Sequence, residues 1–474
     1  ARKYNSITRR LTDHERFMDA MANSDFESVG RLVKVAIKNN KGVREIVRRL
    51  ELAIAGKYHV RSYQEKHYEV QRLVLSLGGP RLAYTLSKAL NLPSISTTRA
   101  HSHTPVILLS VGFPTVAEVS TNLILLHNAG AFTTGRGASV RRRGWAFEAD
   151  EFALEERPRY EPTQNAIVGM AREDSDSCDL ATVTLDTLHA AADALEEGSL
   201  TLAKEATVVA IAAYDKEHYV SFPVLISGMK KTENEFGQAR WISAVIEAWT
   251  KSPCGEVMYR PLWTVASDGD ATRRRTLHRL LMSQPLEQTN PSYPALSGLR
   301  GLNLRCDSGA RTLTIDYKHK FKNFASLLRL SAGVLVLNHH IQHMHLRALL
   351  RDELGFDTPT LTRLFDNSDH QNVPNAVSLL MAVRRLADVP KLVENVEHHG
   401  VVLLGRFIGY LVEPFISPEM SLSEQLTSLS AANHFLYILF AQNRTSFCPG
   451  QWYYDVASLI KNIFFTVARH KVTE

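Results

Sequence analysis

A mixed α and α/β protein is predicted by three observations. Helical periodicity runs through residues 1–135, short apolar runs alternate with amphipathic helices over 136–326, and helical periodicity returns over 327–474. In the first region "DFESVGRLVKVAIKNN" and "KGVREIVRRLELAIAG" repeat apolar residues every three or four positions. "EKHYEVQRLVLSLGGPRLAYTLSKALNLPS" continues as two helices broken at Gly78-Gly79-Pro80, a candidate helix-turn-helix. After a polar connection, "TVAEVSTNLILLHNAGA" adds another helix.

The texture changes near Trp145. "GWAFEADEFAL" and "NAIVGMARED" read as strands, and an acidic helix or linker spans Asp174 to Glu197. "EATVVAIAAY" and "HYVSFPVLISG" read as an antiparallel pair turning at Asp215-Lys216-Glu217. Then come the helix "QARWISAVIEAWTKS", the strand "YRPLWTVASD", the helix "ATRRRTLHRLL", and a strand followed by a helix in "ARTLTIDYKHKFKNFASLLR". Three strands followed by helix, strand, helix and strand is the order of a ribonuclease-H-like core, here set between an N-terminal helical domain and a large helical insertion or C-terminal domain.

A chain of 474 residues exceeds what one hydrophobic core usually supports, and 45% hydrophobic residues is ordinary globular material. The net charge of +6 and pI near 9.0 are mildly basic. Basic residues cluster at Arg141-Arg142-Arg143, at Arg273-Arg274-Arg275 and from Lys318 to Lys322, which suits either a polyanionic partner or solvated helix faces. None of the four cysteines falls in a CxxC pair, which argues against a zinc site or a disulfide framework and for a reducing, intracellular setting. No run of uninterrupted apolar residues reaches membrane-spanning length, so no membrane association is expected. The first residues, "ARKYNSITRRL", are basic and polar, unlike a secretory signal, and lack an initiator Met, as a processed form or a fragment does.

The candidate chemistry lies in acids at strand ends. Asp150, Asp268 and Asp316 each close an apolar run. In a ribonuclease-H-like sheet the first strand lies beside the later parallel strand, so Asp150 and Asp268 can share Mg²⁺ or Mn²⁺, ions that take hard oxygen ligands. An Asp-Gly pair is also a routine turn. Arg273, Arg274 and Arg275 follow Asp268 within two helical turns, and Lys318, His319, Lys320 and Lys322 repeat the theme after Asp316; they suit phosphate contacts or a solvated face. In "NHHIQHMHLRALL", His339 and His343 would share a helix face, where a polar surface is the plainer reading and a metal site the sharper one. Walker, dinucleotide-binding, HExxH and GxSxG motifs are absent from the sequence.

In order, "LAYTLSKALNLPSISTTR", "ADEFALEERPRYEPTQNAIVGM", "EATVVAIAAYDKEHYVSFPVLISG", "WTVASDGDATRRRTLHRLL" and "TIDYKHKFKNFASLLR" resemble the P-element and THAP-type DDE transposases, especially the related proteins of mushroom-forming fungi. The likeness runs from about Tyr63 to Ala468. It implies that Asp150-Glu151-Phe152 supplies the first catalytic acid and Asp268-Gly269 the second. It also implies that Asp316, His319 and Lys322 open a helical insertion that in P-element transposase binds guanine nucleotide. By the same likeness the partners are DNA and further copies of the chain, and the compartment is the nucleus. The family's third acid is a Glu on a helix after the insertion, in a Leu-Glu-x-x-Phe setting; no such segment precedes Glu474, and Glu424 in "LSEQL" lies inside the insertion. The sequence therefore leaves three functions open: metal-dependent DNA strand cleavage and transfer, a catalytically inactive relative that binds DNA or protein, or a purely helical interaction scaffold in which Asp150 and Asp268 lie far apart.

Overall fold

The computed structural model describes residues 15, 32–34, 36, 42–54, 63–90, 92–101, 107–132, 144–181, 183–215, 220–369 and 371–473. Arg141 to Arg143 and most of "DFESVGRLVKVAIKNN" lie outside them. The chain divides into two compact units, 1–104 and 105–474.

The first unit contains α1 (Val43–Ile54), α2 (Glu65–Ala89) and α3 (Ile95–His101). The expected break in α2 is a kink. Gly79 adopts φ 71° and ψ −179°, outside helical space, just before Pro80, which cannot continue the backbone ladder. The buried Gln71 amide donates to the Ala83 carbonyl at 2.9 Å across the kink, and Tyr68 stacks on His101 with centroids 4.0 Å apart.

The second unit opens with α4 (Val116–Asn128), capped by Thr115 and Glu118 in a reciprocal box. It continues with β1 (Trp145–Ala153), the short hairpin β2 (Arg159–Glu161) and β3 (Ala166–Val168), α5 (Leu185–Glu197), β4 (Glu205–Ala213), β5 (Ser221–Met229), α6 (Glu235–Lys251), β6 (Leu262–Ser267), α7 (Ala271–Leu281), β7 (Thr312–Ile315) and α8 (Tyr317–Arg329). The central sheet has the order β5-β4-β1-β6-β7. β4 is antiparallel to both β5 and β1, while β1, β6 and β7 run parallel. Parallel neighbours need crossovers, which α6 and α7 supply. One face buries Phe147, Ala149, Val209, Val265 and Leu313 with residues of α4, α6 and α7, including Leu123, Trp241, Trp249 and Leu277. Helix α4, grouped by sequence with residues 1–135, thus packs with the sheet.

Beyond α8 lie the hairpin β8 (Val334–Val336) and β9 (His339–Ile341), then α9 (His343–Leu354), α10 (Thr358–Phe365), α11 (Val373–Leu386), α12 (His399–Ile416), α13 (Leu422–Asn443) and α14 (Gly450–Thr473). "NHHIQHMH" is therefore a strand running into a helix: His339 sits in β9 and His343 begins α9, so the helix face expected to carry both does not exist. The stretch Val396–Ile416 is long and apolar enough by composition to cross a membrane, at a mean hydropathy of 1.3, which the uninterrupted-run criterion did not detect. Here Val401, Leu404, Phe407, Ile408 and Leu411 fill the core shared by α8 to α13 and the first half of α14.

Helix α14 leaves that bundle and returns to the sheet. It carries a buried polar stripe of Asp455, Ser458, Asn462 and Arg469, spaced near the helical repeat. The Asn462 side-chain oxygen accepts from Thr264 at 2.8 Å and Thr312 at 2.6 Å, bridging β6 and β7. Arg469 donates to the Trp263 carbonyl at 3.1 Å. Burial pushes the neighbouring Lys461 ammonium down to about 8.

Candidate metal centre

The register of the parallel strands sets the centre. Ala149 on β1 is opposite Ser267 on β6, and Ser267 is opposite Ile315 on β7. The next residue on each strand is an acid: Asp150, Asp268 and Asp316. Two of these converge. Carboxylate oxygens of Asp150, Glu151 and Asp268 all lie within 4.8 Å of one another. β1 continues past Asp150 to Ala153, so Asp150 lies inside the strand and does not end it. That continuation keeps Glu151 on the sheet, on the same side as the buried Phe147 and Ala149 by strand alternation.

Asp268 is held by its own turn. Its Oδ1 accepts from the Ser267 hydroxyl at 3.1 Å and the Asp270 amide at 3.0 Å. Gly269 has φ 95°, a left-handed conformation that favours glycine. Asp270 caps α7, accepting from the Thr272 and Arg273 amides at 2.9 Å each. The Asp-Gly-Asp sequence is thus both expected things at once, a strand-exit carboxylate and a turn leading into a helix cap.

Asp316 stands apart from the carboxylate group. It caps α8 by accepting from the Lys318 amide at 2.9 Å, and His319 Nε2 lies 3.6 Å from its Oδ2. Lys318 is exposed, and Lys322 donates to Gln371 at 2.9 Å.

The arginines correct the sequence reading. Successive helical residues are about 100° apart, so three in a row cannot all face solvent when the helix packs on two sides. Arg273 is only 2% exposed and ion-pairs with Glu151, with its guanidinium 5.2 Å from the Trp241 ring centroid. Arg274 binds Asp455 of α14 through two nitrogens, at 2.6 and 2.9 Å. Neither is free to grip a phosphate backbone in this conformation. Arg275 alone is exposed, 3.5 Å from Glu235.

The three carboxylates line a cavity of about 320 Å³ together with Glu205, Glu233, Asp270, Lys231 and Arg273. Six acids against two cations make it an anionic pocket. Oxygen-only donors at this spacing fit a hard divalent cation such as Mg²⁺ or Mn²⁺. At its inner end a buried chain of polar contacts runs from Arg172, paired with Glu233 at 2.7 Å through two nitrogens. Arg172 also reaches the Thr207 hydroxyl at 3.0 Å, and Thr207 lies 3.5 Å from Glu151.

Burial raises the Glu151 pKa above its ordinary 4.5; Arg273 opposes this, while Asp268 and Asp150 add to it. A raised carboxyl pKa means that the folded state holds the proton more tightly than the unfolded chain. Metal-free protein should therefore lose stability as pH rises from 4.5 through the raised value. Glu151→Gln removes this dependence. Chemical unfolding in a chelator between pH 4.5 and 7 should show wild type falling relative to the variant as pH increases; parallel profiles would contradict the assignment.

No protein-family model matches the chain, and no curated protein matches it. Among solved structures, the Drosophila P element transposase strand transfer complex is similar at 11% sequence identity and a TM-score of 0.46, covering 90% of this chain and 82% of that chain.

The sequence reading missed Asp455, which lies against the Asp268 turn from 181 residues beyond Arg274. Its signal was a polar residue at helical spacing with Ser458, Asn462 and Arg469.

Proposed function

We propose that residues 105–474 form a ribonuclease-H-like nucleotidyl-transfer domain of the DDE transposase type, in which Asp150, Glu151 and Asp268 hold Mg²⁺ or Mn²⁺ for cleavage and transfer of DNA strands. The observation that carries this reading is the parallel register of β1 and β6, which brings two acids 118 residues apart in sequence (268 − 150) to one point. The order β5-β4-β1-β6-β7, an antiparallel meander followed by two parallel strands, supports it.

When bound, the divalent ions supply activation of a water or hydroxyl and stabilisation of the leaving oxygen of a phosphodiester. Asp150 and Asp268 hold the cation from adjacent strands. Glu151 adds a third carboxylate from the same strand as Asp150, kept in place by Arg273. Arg275, Lys318 and Lys322, on the outer parts of α7 and α8, are the basic groups left for the DNA backbone. DNA as partner, self-association and a nuclear setting follow from the same reading. Guanine nucleotide rests on family resemblance, and no step is assigned to it.

Supercoiled plasmid incubated with the protein and Mn²⁺ is expected to become nicked, and chelator is expected to stop it. Asp268→Asn should abolish nicking; unchanged nicking would remove Asp268 from the site. The ion pair that Arg273 already makes with Glu151 favours one alternative, a relative that binds DNA without chemistry. That alternative predicts retention of DNA with no nicking by wild type in either ion.

A further inference from the structure

The Asp268 turn has a second side. A second cavity of about 470 Å³ is lined by Asp268, Gly269, Arg274, Lys320, Trp452 and Asp455 among others. Asp268 and Asp270 line both cavities, so the turn borders each. Behind it, three residues from three helices meet: Arg274 on α7, Lys320 on α8 and Asp455 on α14. Their side chains are 12%, 3% and 1% exposed.

Both Asp455 oxygens are occupied. Arg274 reaches Oδ1 at 2.6 Å and Oδ2 at 2.9 Å, and Lys320 Nζ reaches Oδ2 at 2.7 Å. The same Arg274 nitrogen that meets Oδ2 also donates to the Gly269 carbonyl. A Cβ built on Gly269 would lie 2.9 Å from Lys320 Nζ and 3.3 Å from Asp455 Oδ2, so the turn rests directly on the ion pairs. The Lys320 backbone is fixed in turn, its carbonyl accepting from the Trp452 indole at 2.9 Å.

We propose that Asp455 is a positioning residue for the acidic centre and not one of its metal ligands; the proposal rests on the metal-binding reading above. Detaching this carboxylate to bind a metal would leave two cations in a buried site without their anion, a costly arrangement. The group of mutually close carboxylates is drawn from Asp150, Glu151 and Asp268. What Asp455 does is hold Arg274 in reach of the Gly269 carbonyl. Asp268 is thereby kept beside Asp150 and Glu151 despite the repulsion among three carboxylates.

Two readouts on the full chain test this, with Asp455→Asn and, because that change strands two buried cations, the double variant Lys320→Met/Asp455→Asn. The first is amide hydrogen exchange without metal. Faster exchange confined to residues 268–273, with β4 and β5 unchanged, is expected in both variants; unchanged exchange there overturns the clamp whether or not metal binds. The second is calorimetric titration with Mn²⁺ alone. The variants are expected to bind the same number of ions as wild type with affinity weakened roughly 10- to 100-fold, the range for residues that orient metal ligands. A variant that loses one ion from the stoichiometry makes Asp455 a ligand and overturns the proposal. Wild type that binds no Mn²⁺ removes the metal reading and this role with it, while the exchange result still reports whether the clamp holds the turn.

Discussion

Alanine at position 172 is expected to lower the unfolding free energy by about 3–5 kcal/mol, the usual result of stripping one partner from a buried ion pair. Arg172 and Glu233 have side chains only 1% and 2% exposed and meet through two hydrogen bonds of 2.7 Å. Arg172 also serves the Thr207 hydroxyl and, at 3.4 Å, the Ser227 carbonyl, so its loss leaves acceptors on two strands without that donor as well as an uncompensated carboxylate. The guanidinium further lies 5.6 Å from the Trp241 ring centroid, on the ring that Arg273 also approaches. Urea unfolding followed by tryptophan fluorescence would measure the loss. Glu233→Gln should cost less, because it keeps one acceptor. A loss under 1 kcal/mol for Arg172→Ala would mean that water reaches Glu233 and the pair is not sealed.

The second large effect concerns the acids. Asp150→Asn/Asp268→Asn should fold at least as stably as wild type without metal, because it relieves repulsion among three carboxylates within 4.8 Å of one another. It should also lose the thermal stabilisation that Mn²⁺ gives wild type. A ligand at a hundred times its Kd stabilises by about 2.7 kcal/mol, so wild type should show a clear rise in melting temperature at millimolar Mn²⁺ and the double variant none. A variant that still responds to Mn²⁺ would place the ion elsewhere. A variant much less stable without metal would show that the two carboxylates have structural work beyond holding a cation.

Much of the sheet was legible because strands and helices announce themselves by period. "GWAFEADEFAL" and "EATVVAIAAY" became β1 and β4 within one residue at each end, while "YRPLWTVASD" became β6 starting three residues later, and their order implied which strands would be neighbours. The meeting of Asp150 and Asp268 was legible for the same reason, since both follow apolar runs. Glu151 was harder to place: Asp150 was read as the acid that closes the apolar run, and the continuation of β1 to Ala153 gives Glu151 a fixed direction. The arginines misled because charge was equated with exposure. Arg273 and Arg274 are paired with Glu151 and Asp455, partners 122 and 181 residues away, and such pairings have no local signature. "NHHIQHMH" failed differently, because the positive-φ residues Leu337 and Asn338 turn a hairpin where periodicity suggested a continuous helix. Helix α14 read as one more bundle element because the sequence shows a polar stripe without showing what it faces.

The Arg274 to Asp455 pairing fixes an order of events during synthesis. Asp268 leaves the ribosome 187 residues (455 − 268) ahead of Asp455, the anion that braces its turn. At about 5–20 residues per second, the nascent protein carries its acidic strands for on the order of 10–40 s before α14 can lie against the sheet. Through that interval the acids have no brace, Lys320 and Arg274 have no shared anion, and the Asn462 bridge between β6 and β7 is absent. A ribosome stalled within this span would release a polypeptide that carries Asp150, Glu151 and Asp268 without Asp455 behind the turn. Bracing of the Asp268 turn is in this way deferred until translation has passed Asp455 and α14 can close behind it.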